Sequence, residues 1–171
     1  MANLPDTTFN PEVFHVSADL VFVQMAAETA DEVVGRLSDI FIVQGYVKPS
    51  YKRSALEREE TCPTGLPTPG LGTAIPHGGV EHTLKPGIAI ATLTRPVEFG
   101  ELGNPTNRVK VSIVFLLSVT QPEVQVYLLQ AIMNVYKDEA SLRRLYAATD
   151  PEDIVQQVNA ALAHSKIPRS T

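Results

Sequence analysis

The stretch VKVSIVFLLSVTQPEVQVYLL, residues 109–129, joins two apolar patterns that have different periods. Its first nine residues are rich in valine, isoleucine and leucine, which predicts a buried strand. Thr120 and Glu123 have the spacing of a capping box, so a helix is predicted to begin there. Apolar residues then recur every three to four positions as far as Val135, as expected for one buried helix face. A strand that leads directly into such a helix is typical of α/β proteins.

The same alternation extends over the rest of the chain. Further strands are predicted at Leu20–Met25 and Ile88–Leu93, and a turn-rich segment, Glu101–Asn107, precedes the quoted strand. Further helices are predicted after a capping box at Thr29–Glu32, from Pro49 to about Glu60, over Glu139–Ala148, and after Asp150 and Pro151. Strands that alternate with helices predict an α/β fold with helices on both faces of a sheet.

One domain is predicted to occupy almost the whole chain. A length of 171 residues suits a single domain with a sizeable core. Residues 1–18 show little periodicity and are assigned to an N-terminal lead-in, residues 19–165 to the domain, and residues 166–171 to a C-terminal tail. The sequence shows neither an internal repeat nor a linker, so we expect no second domain.

Charge and composition disfavour several classes of protein. The net charge is −5 and basic residues do not cluster, so we expect neither nucleic acid nor an anionic membrane as a partner. The single cysteine, Cys62, cannot form an internal disulfide, which fits a reducing compartment. The N-terminus lacks the pattern of a signal peptide, and the apolar stretch near Val109–Val119 is too short to span a bilayer. We therefore expect a cytoplasmic protein that does not insert into a membrane.

A histidine follows the part of the chain that is richest in proline and glycine. Six prolines and glycines lie between Cys62 and Pro76, which predicts a loop. The segment GTAIPHGGVEH, residues 72–82, then places His77 between a proline and two glycines. Because glycine has no side chain, these neighbours are expected to leave the imidazole uncrowded. We interpret the segment as one that presents His77 to a ligand or partner.

Three kinds of chemistry are open to His77 in this setting: the imidazole can be a nucleophile, a general base or a metal ligand. The sequence has no nucleophilic-serine motif, and the nearby Glu81 and His82 do not complete a known metal-binding spacing. A neutral imidazole can attack phosphorus at neutral pH, with loop amides and an arginine to offset the phosphoryl charge. A loop histidine without a chemical role is the plain alternative. We expect neither a metal ion nor a cofactor.

Two motifs in a fixed order carry a resemblance to a known family. ALEREETCPTG, residues 55–65, followed by AIPH, residues 74–77, resembles the enzyme IIA component, of mannitol/fructose type, of the bacterial sugar phosphotransferase system (PTS EIIA type 2). The similarity runs from about Leu20 to Leu162. The resemblance implies a three-layer α/β/α sandwich around a small mixed β-sheet.

The resemblance also implies a function. In this family the histidine of AIPH accepts a phosphoryl group from the histidine-containing phosphocarrier protein. It passes the group to a sugar-specific IIB component, which acts with the membrane component IIC. By position, His77 is implied to be the phosphorylated nucleophile and Arg58 to stabilise the phosphoryl group. Candidates for further contacts with phosphate or partner are Gln125, His82, Thr73 and Glu59. For Glu59, orienting Arg58 or pairing with Arg53 or Lys52 are the alternatives.

Two positions point to a subgroup within the family. Gln125 stands where mannitol and fructose members usually carry a second histidine, at the start of the stretch QVYLL. Galactitol-specific members tend to have glutamine there and a histidine five residues after the active one, where this chain has His82. The resemblance therefore favours a galactitol-like carrier. A phosphorylation-dependent regulator of the nitrogen-related IIA type, which shares the fold and the histidine, is the alternative function.

Overall fold

A computed structural model describes residues 16–164 of the chain. The predicted C-terminal tail and residues 1–15 of the predicted lead-in lie outside the described residues. The strands are β1 (Val21–Met25), β2 (Gly65–Leu66), β3 (Gly72–Ala74), β4 (Gly87–Glu101) and β5 (Asn104–Ser118). The helices are α1 (Ala30–Val43), α2 (Tyr51–Thr61), α3 (Pro122–Val135), α4 (Glu139–Ala147) and α5 (Pro151–His164).

The strands form one mixed sheet. β1 lies parallel to β4, β4 pairs antiparallel with β5, and β3 lies parallel to β5 on its other side. β2 is antiparallel to β3 and also meets the end of β4, where Gly65 pairs with Glu101. β4 and β5 form a long hairpin with a turn at Leu102 and Gly103, which is much shorter than the predicted turn segment. Gly103 has a φ of +80°, a conformation that glycine adopts without steric cost.

Helices cover both faces of this sheet, which confirms the predicted three-layer α/β/α sandwich. Alternate residues of a strand face opposite sides. Ile113 and Phe115 of β5 therefore pack in one core with α3, α4 and α5. Val114 and Leu116 pack in the other core, with α1 and α2. Burial on both faces explains why β5 is a continuous apolar run rather than an alternating one.

Of the two predicted capping boxes, the N-cap of the first is confirmed, although Glu32 reaches back to the backbone N–H of Glu28 rather than of Thr29. The second is wrong. Thr29 is the N-cap of α1, and its hydroxyl accepts a hydrogen bond from the backbone N–H of Glu32 at 3.1 Å. The N-cap of α3 is Gln121 rather than Thr120, its side chain makes no capping bond, and Pro122 is the first helical residue. Proline can begin a helix in this way because its φ is already helical and it has no N–H to satisfy.

Across residues 16–164, the structure has no helix whose length and apolarity would allow it to span a membrane.

The proline- and glycine-rich segment before His77 is more regular than its composition predicts. It contains β2 and β3, although the prolines and glycines between Cys62 and Pro76 predict a loop. Gly72 shows the reason, since a Cβ atom there would lie 2.0 Å from the carbonyl oxygen of Lys110. Glycine generally disfavours strands, but it is needed where two backbones approach closely. The pairing with β5 therefore overrides the local preference of the segment.

Candidate functional site

His77 lies at the carboxyl ends of two parallel strands, three residues after β3. The chain continues from β3 beside β5, and the backbone N–H of Leu117 donates to the carbonyl oxygen of Pro76 at 3.0 Å. His77 itself forms a parallel bridge with Leu117. Its residue surface is only 8% exposed. Strand pairing thus fixes the imidazole in a nearly enclosed position at one end of the sheet.

The backbone selects one tautomer of His77. The ring atom Nδ1 lies 3.1 Å from the carbonyl oxygen of Ile75. A carbonyl only accepts hydrogen bonds, so Nδ1 carries the proton and Nε2 of the neutral ring keeps its lone pair. Burial lowers the pKa of His77 below its ordinary value, and the charge of Arg58 lowers it further, whereas the bond to Ile75 acts in the opposite direction. At neutral pH the ring is therefore neutral, with a nucleophilic nitrogen at Nε2.

Arg58 supplies positive charge beside this imidazole. It lies in the last turn of α2, and its side chain is exposed. Burial is the main cause of the lowered pKa of His77, and the charge of Arg58 adds to it. Arg53, on the same helix, instead pairs with Glu57, with 3.0 Å between Nε and Oε1. Of these two arginines of α2, Arg58 therefore affects the pKa of His77, whereas Arg53 forms a surface ion pair.

A buried tyrosine supports the loop that follows His77. Tyr51 has no exposed surface, and its hydroxyl donates to the carbonyl oxygen of Leu117. A Cβ atom at Gly78 would lie 2.7 Å from a ring carbon of Tyr51. The missing side chain at Gly78 therefore leaves space for the ring of Tyr51. The sequence predicted that it leaves space for the imidazole of His77, and this prediction is wrong for Gly78. Nothing in the sequence places Tyr51 at this site, beyond its position at the start of a polar helix.

The amide of the second glycine after His77 is already engaged. The Gly79 N–H donates to Oγ of Ser54 at 2.9 Å. The Gly79 amide is therefore not free for a phosphoryl oxygen, while contacts of the other loop amides with a phosphoryl group stay a prediction. Buried backbone donors are nearly always paired within a protein, and a hydroxyl group of α2 meets that need at Gly79.

Gly78→Ala is expected to reduce both stability and phosphorylation. The added methyl group would overlap the Tyr51 ring, and overpacking of a buried contact costs about 1–3 kcal/mol. The backbone shift that relieves the overlap also moves the adjoining His77. Urea unfolding measures the stability, and intact mass measures phosphorylation. Gly79→Ala is the matched control, because its nearest neighbour is the flexible carboxylate of Glu81. Equal losses in the two variants would contradict the role given to Tyr51.

Glu59 is linked to His77 through a chain of hydrogen bonds. Glu59 is only 7% exposed, and its two carboxylate oxygens accept from the backbone N–H and the hydroxyl of Thr64, each at 2.9 Å. The Thr64 hydroxyl in turn accepts from the backbone N–H of Ile75 at 3.1 Å. Burial raises the pKa of Glu59 to about 7, although both bonds from Thr64 act to lower it. The carboxylate of Glu59 is thus connected, through Thr64 and Ile75, to the imidazole of His77.

The ion pairs considered for Glu59 from the sequence do not form. Lys52 pairs with Asp39 at 3.0 Å, and Arg53 pairs with Glu57. Thr64 is a further site residue that the sequence does not predict, although it lies in the PTG part of the motif ALEREETCPTG. Its role depends on the short strand β2, which brings residue 64 beside Ile75 and which composition did not predict.

His82 anchors the loop after His77 to the start of α2. It lies in a short 3-10 turn, Val80–His82, and its Nδ1 is 2.7 Å from the hydroxyl of Ser50. Its other ring nitrogen is 3.4 Å from Glu81. The backbone N–H of Lys48 donates to the carbonyl oxygen of His82 at 2.8 Å. These contacts give His82 a place in the support of the loop, while a contact with phosphate or partner stays a prediction.

Thr73 and Gln125 occupy different settings. Thr73 lies in β3 and is buried, with its hydroxyl 3.3 Å from that of Thr68. Gln125 is half-buried in the first turn of α3, a helix that begins four residues after the end of β5. The end of β5 is also where Leu117 pairs with His77. Contacts of Thr73 and Gln125 with a phosphoryl group or partner also stay predictions.

The groups gathered around His77 suit phosphoryl transfer. That reaction needs an activated nucleophile, positive charge and firm positioning, and little covalent chemistry from the protein. A neutral Nε2, the charge of Arg58 and the bond from Nδ1 to Ile75 supply these three requirements. In residues 16–164, no group of three or more histidine, cysteine, aspartate or glutamate residues is arranged to hold a metal ion.

Comparisons with known proteins agree with this chemistry. Residues 14–161 match the family described as "Phosphoenolpyruvate-dependent sugar phosphotransferase system, EIIA 2". The chain is 26% identical over 153 residues to the PTS system mannitol-specific EIICBA component of Klebsiella pneumoniae. The aligned region covers 88% of this chain but only 23% of the longer relative. It is 31% identical over 144 residues to the ascorbate-specific PTS system EIIA component of Shigella boydii, covering 81% of this chain and 90% of the relative.

A solved structure from Escherichia coli shares the fold. It is the complex of the mannitol enzyme IIA with phosphorylated enzyme IIB, and the match has a TM-score of 0.70 at 28% identity. The matched region covers 89% of this chain and 99% of the solved chain. The likeness therefore extends over nearly the whole domain.

Proposed function

The chain belongs to the EIIA type 2 family of the phosphoenolpyruvate-dependent sugar phosphotransferase system, and from that membership we propose that His77 carries a phosphoryl group between two partner proteins. The observation that carries the proposal is the neutral imidazole of His77, with Nδ1 held by Ile75 and Nε2 unprotonated beside the charge of Arg58. Such a nitrogen is a nucleophile at neutral pH.

In the proposed reaction, the lone pair of His77 Nε2 attacks the phosphorus atom of a phosphohistidine on the donor protein. As the new N–P bond forms, the old N–P bond breaks and its electron pair returns to the donor imidazole. Nδ1 keeps its proton throughout and continues to donate to Ile75. Charge on the three equatorial oxygens is offset by the Arg58 guanidinium, whose planar fork can bind two of them. The second transfer repeats the step with His77 as the leaving group.

We propose the histidine-containing phosphocarrier protein as the donor and a sugar-specific IIB component as the acceptor. A IIB acceptor is supported by the solved mannitol complex, in which the IIA relative is bound to phosphorylated IIB. A phosphoryl donor upstream fits the dependence on phosphoenolpyruvate in the description of the family. Both partners would dock over the same end of the sheet, because both must reach His77.

Reconstituted transfer tests this proposal. The protein is incubated with enzyme I, the phosphocarrier protein and phosphoenolpyruvate, and its intact mass is measured before and after a IIB component is added. We expect the gain of one acid-labile phosphoryl group, followed by its loss to IIB, and no gain when the phosphocarrier protein is omitted. Failure to gain the group would contradict the proposal. Phosphorylation without transfer to any IIB component would favour the regulatory function of the nitrogen-related type.

Specificity for a galactitol-like sugar is the finer part of the proposal, and it rests on Gln125 and His82 alone. The relatives reported above are mannitol- and ascorbate-specific, so they support the family and not this subgroup. A panel of IIB components specific for galactitol, mannitol and ascorbate provides the test. The proposal predicts the fastest transfer to the galactitol component, measured as loss of the phosphoryl group with time. Faster transfer to either of the others would show that positions 82 and 125 do not report the subgroup.

A further inference from the structure

Ile75 connects the site to a buried pair of side chains. Its backbone N–H donates to the Thr64 hydroxyl at 3.1 Å, and its carbonyl oxygen accepts from Nδ1 of His77 at 3.1 Å. Ile75 is 2% exposed, so neither backbone group can exchange its partner for water without a cost. The carbonyl oxygen of Ile75 selects the tautomer of His77. Its position therefore depends on Thr64, which binds the N–H of the same residue.

The hydrogen bonds behind Ile75 run in one direction. The Thr64 oxygen accepts from Ile75 while its own proton is donated to a carboxylate oxygen of Glu59. The second carboxylate oxygen accepts the backbone N–H of Thr64, which fixes the carboxylate itself. Thr64 is 4% exposed and Glu59 7% exposed, so solvent does not supply these partners. Burial of a carboxyl group is unfavourable unless it is well bonded, and both oxygens of Glu59 are committed to this one residue.

We propose that Thr64 and Glu59 are positioning residues for phosphoryl transfer: by holding Ile75, they keep the His77 proton on Nδ1 and the lone pair on Nε2. This inference rests on the proposed function, because the tautomer matters for transfer only when His77 is the nucleophile. Neither side chain touches the phosphoryl group in this scheme. They act on the ring through the backbone of Ile75.

Thr64→Val tests the proposal, because valine matches the shape of threonine but cannot accept from Ile75 or donate to Glu59. We expect the rate of phosphorylation by the phosphocarrier protein to fall roughly tenfold, the order of effect of one lost buried hydrogen bond. Thr64→Ser keeps the hydroxyl and is expected to restore most of the rate. Glu59→Gln puts an NH2 donor where an acceptor is needed, so it should also slow the reaction.

Thr92→Val is the matched control for the loss of a buried threonine hydroxyl. Thr92 is fully buried in β4, and its hydroxyl accepts from the backbone N–H of Gln24 at 2.9 Å. Thr64 and Thr92 therefore have the same kind of bond, but that of Thr92 does not lead to Ile75. We expect this control variant to be phosphorylated at the parent rate, even if its stability falls as much as that of Thr64→Val.

The ring nitrogens of His77 give a readout that a general loss of stability would not move. Nitrogen NMR on the unphosphorylated protein distinguishes a protonated from an unprotonated ring nitrogen and needs no partner. We expect the single Nδ1–H tautomer in the parent and in Thr64→Ser, and a mixture of tautomers in Thr64→Val and Glu59→Gln.

The proposal is overturned if Thr64→Val keeps the parent tautomer and slows no more than Thr92→Val does. A tautomer shift in Thr64→Val without any slowing would also overturn it, since the ring orientation would then not matter for transfer. If the parent shows the expected tautomer but gains no phosphoryl group, the proposed function fails and the positioning role fails with it. The two failures are thus distinguishable, because the NMR measurement is independent of the partner proteins.

Discussion

Replacing His77 with alanine should abolish phosphorylation of the protein. The imidazole supplies the nucleophilic Nε2, and alanine offers no atom that could form the N–P bond. Under conditions where the parent is fully modified, the intact mass of His77→Ala should not change on incubation with enzyme I, the phosphocarrier protein and phosphoenolpyruvate. The substitution also leaves the carbonyl of Ile75 without its ring partner, which costs about 1–3 kcal/mol of stability. Urea unfolding should therefore accompany the mass measurement.

A second variant separates loss of the nucleophile from loss of structure. In His77→Gln the side-chain NH2 can still donate to Ile75, so the loop keeps a bond that alanine removes. We expect His77→Gln to unfold closer to the parent and to remain unphosphorylated. An acid-labile phosphoryl group on either variant would show that another residue, such as His82, is the acceptor. In that event the proposed role of His77 would have to be abandoned.

The layered fold was predictable because its signals are local. The continuous apolar run of β5 reflects burial on both faces of the sheet. In α1, the apolar residues Val33, Val34, Leu37 and Phe41 recur at helical spacing, and all four are buried on one face. The same signal did not give the same result at every helix start, since Thr29 and Thr120 have the same spacing to a glutamate and only Thr29 is an N-cap. The proline at position 122 decided the second case, and its effect outweighs that of a neighbouring threonine.

The supports of the site could not be predicted, because they depend on contacts between distant segments. Thr64 bonds to Ile75 eleven residues later, and Tyr51 bonds to Leu117, which is 66 residues away. The pKa of about 7 at Glu59 follows from burial between these segments. Sequence could indicate that Glu59 stands beside Arg58, but not that the two side chains face different environments. One is exposed near His77 and the other is enclosed with Thr64.

Arg58→Ala should slow phosphoryl transfer by about two orders of magnitude, the usual effect of removing one group that stabilises charge in a transition state. It should also raise the pKa of His77, because the charge of Arg58 helps to lower that pKa. Arg58→Lys keeps the charge but loses the planar fork that can bind two phosphoryl oxygens. We therefore expect the lysine variant to retain a lowered pKa at His77 and still to transfer roughly tenfold more slowly than the parent.

Measuring both quantities on both variants separates the charge of Arg58 from its geometry. An NMR titration of the His77 ring gives the pKa, and the rate of transfer from the phosphocarrier protein gives the function. Arg53→Ala and Arg53→Lys are the matched controls, because Arg53 lies on the same helix and pairs with Glu57 at the surface. Surface ion pairs contribute little, so the Arg53 variants should leave both quantities unchanged. If the Arg58 variants behave like those of Arg53, the guanidinium takes no part in transfer. If Arg58→Lys transfers at the parent rate, a positive charge alone is sufficient, and the proposal that the guanidinium must bind two phosphoryl oxygens is wrong.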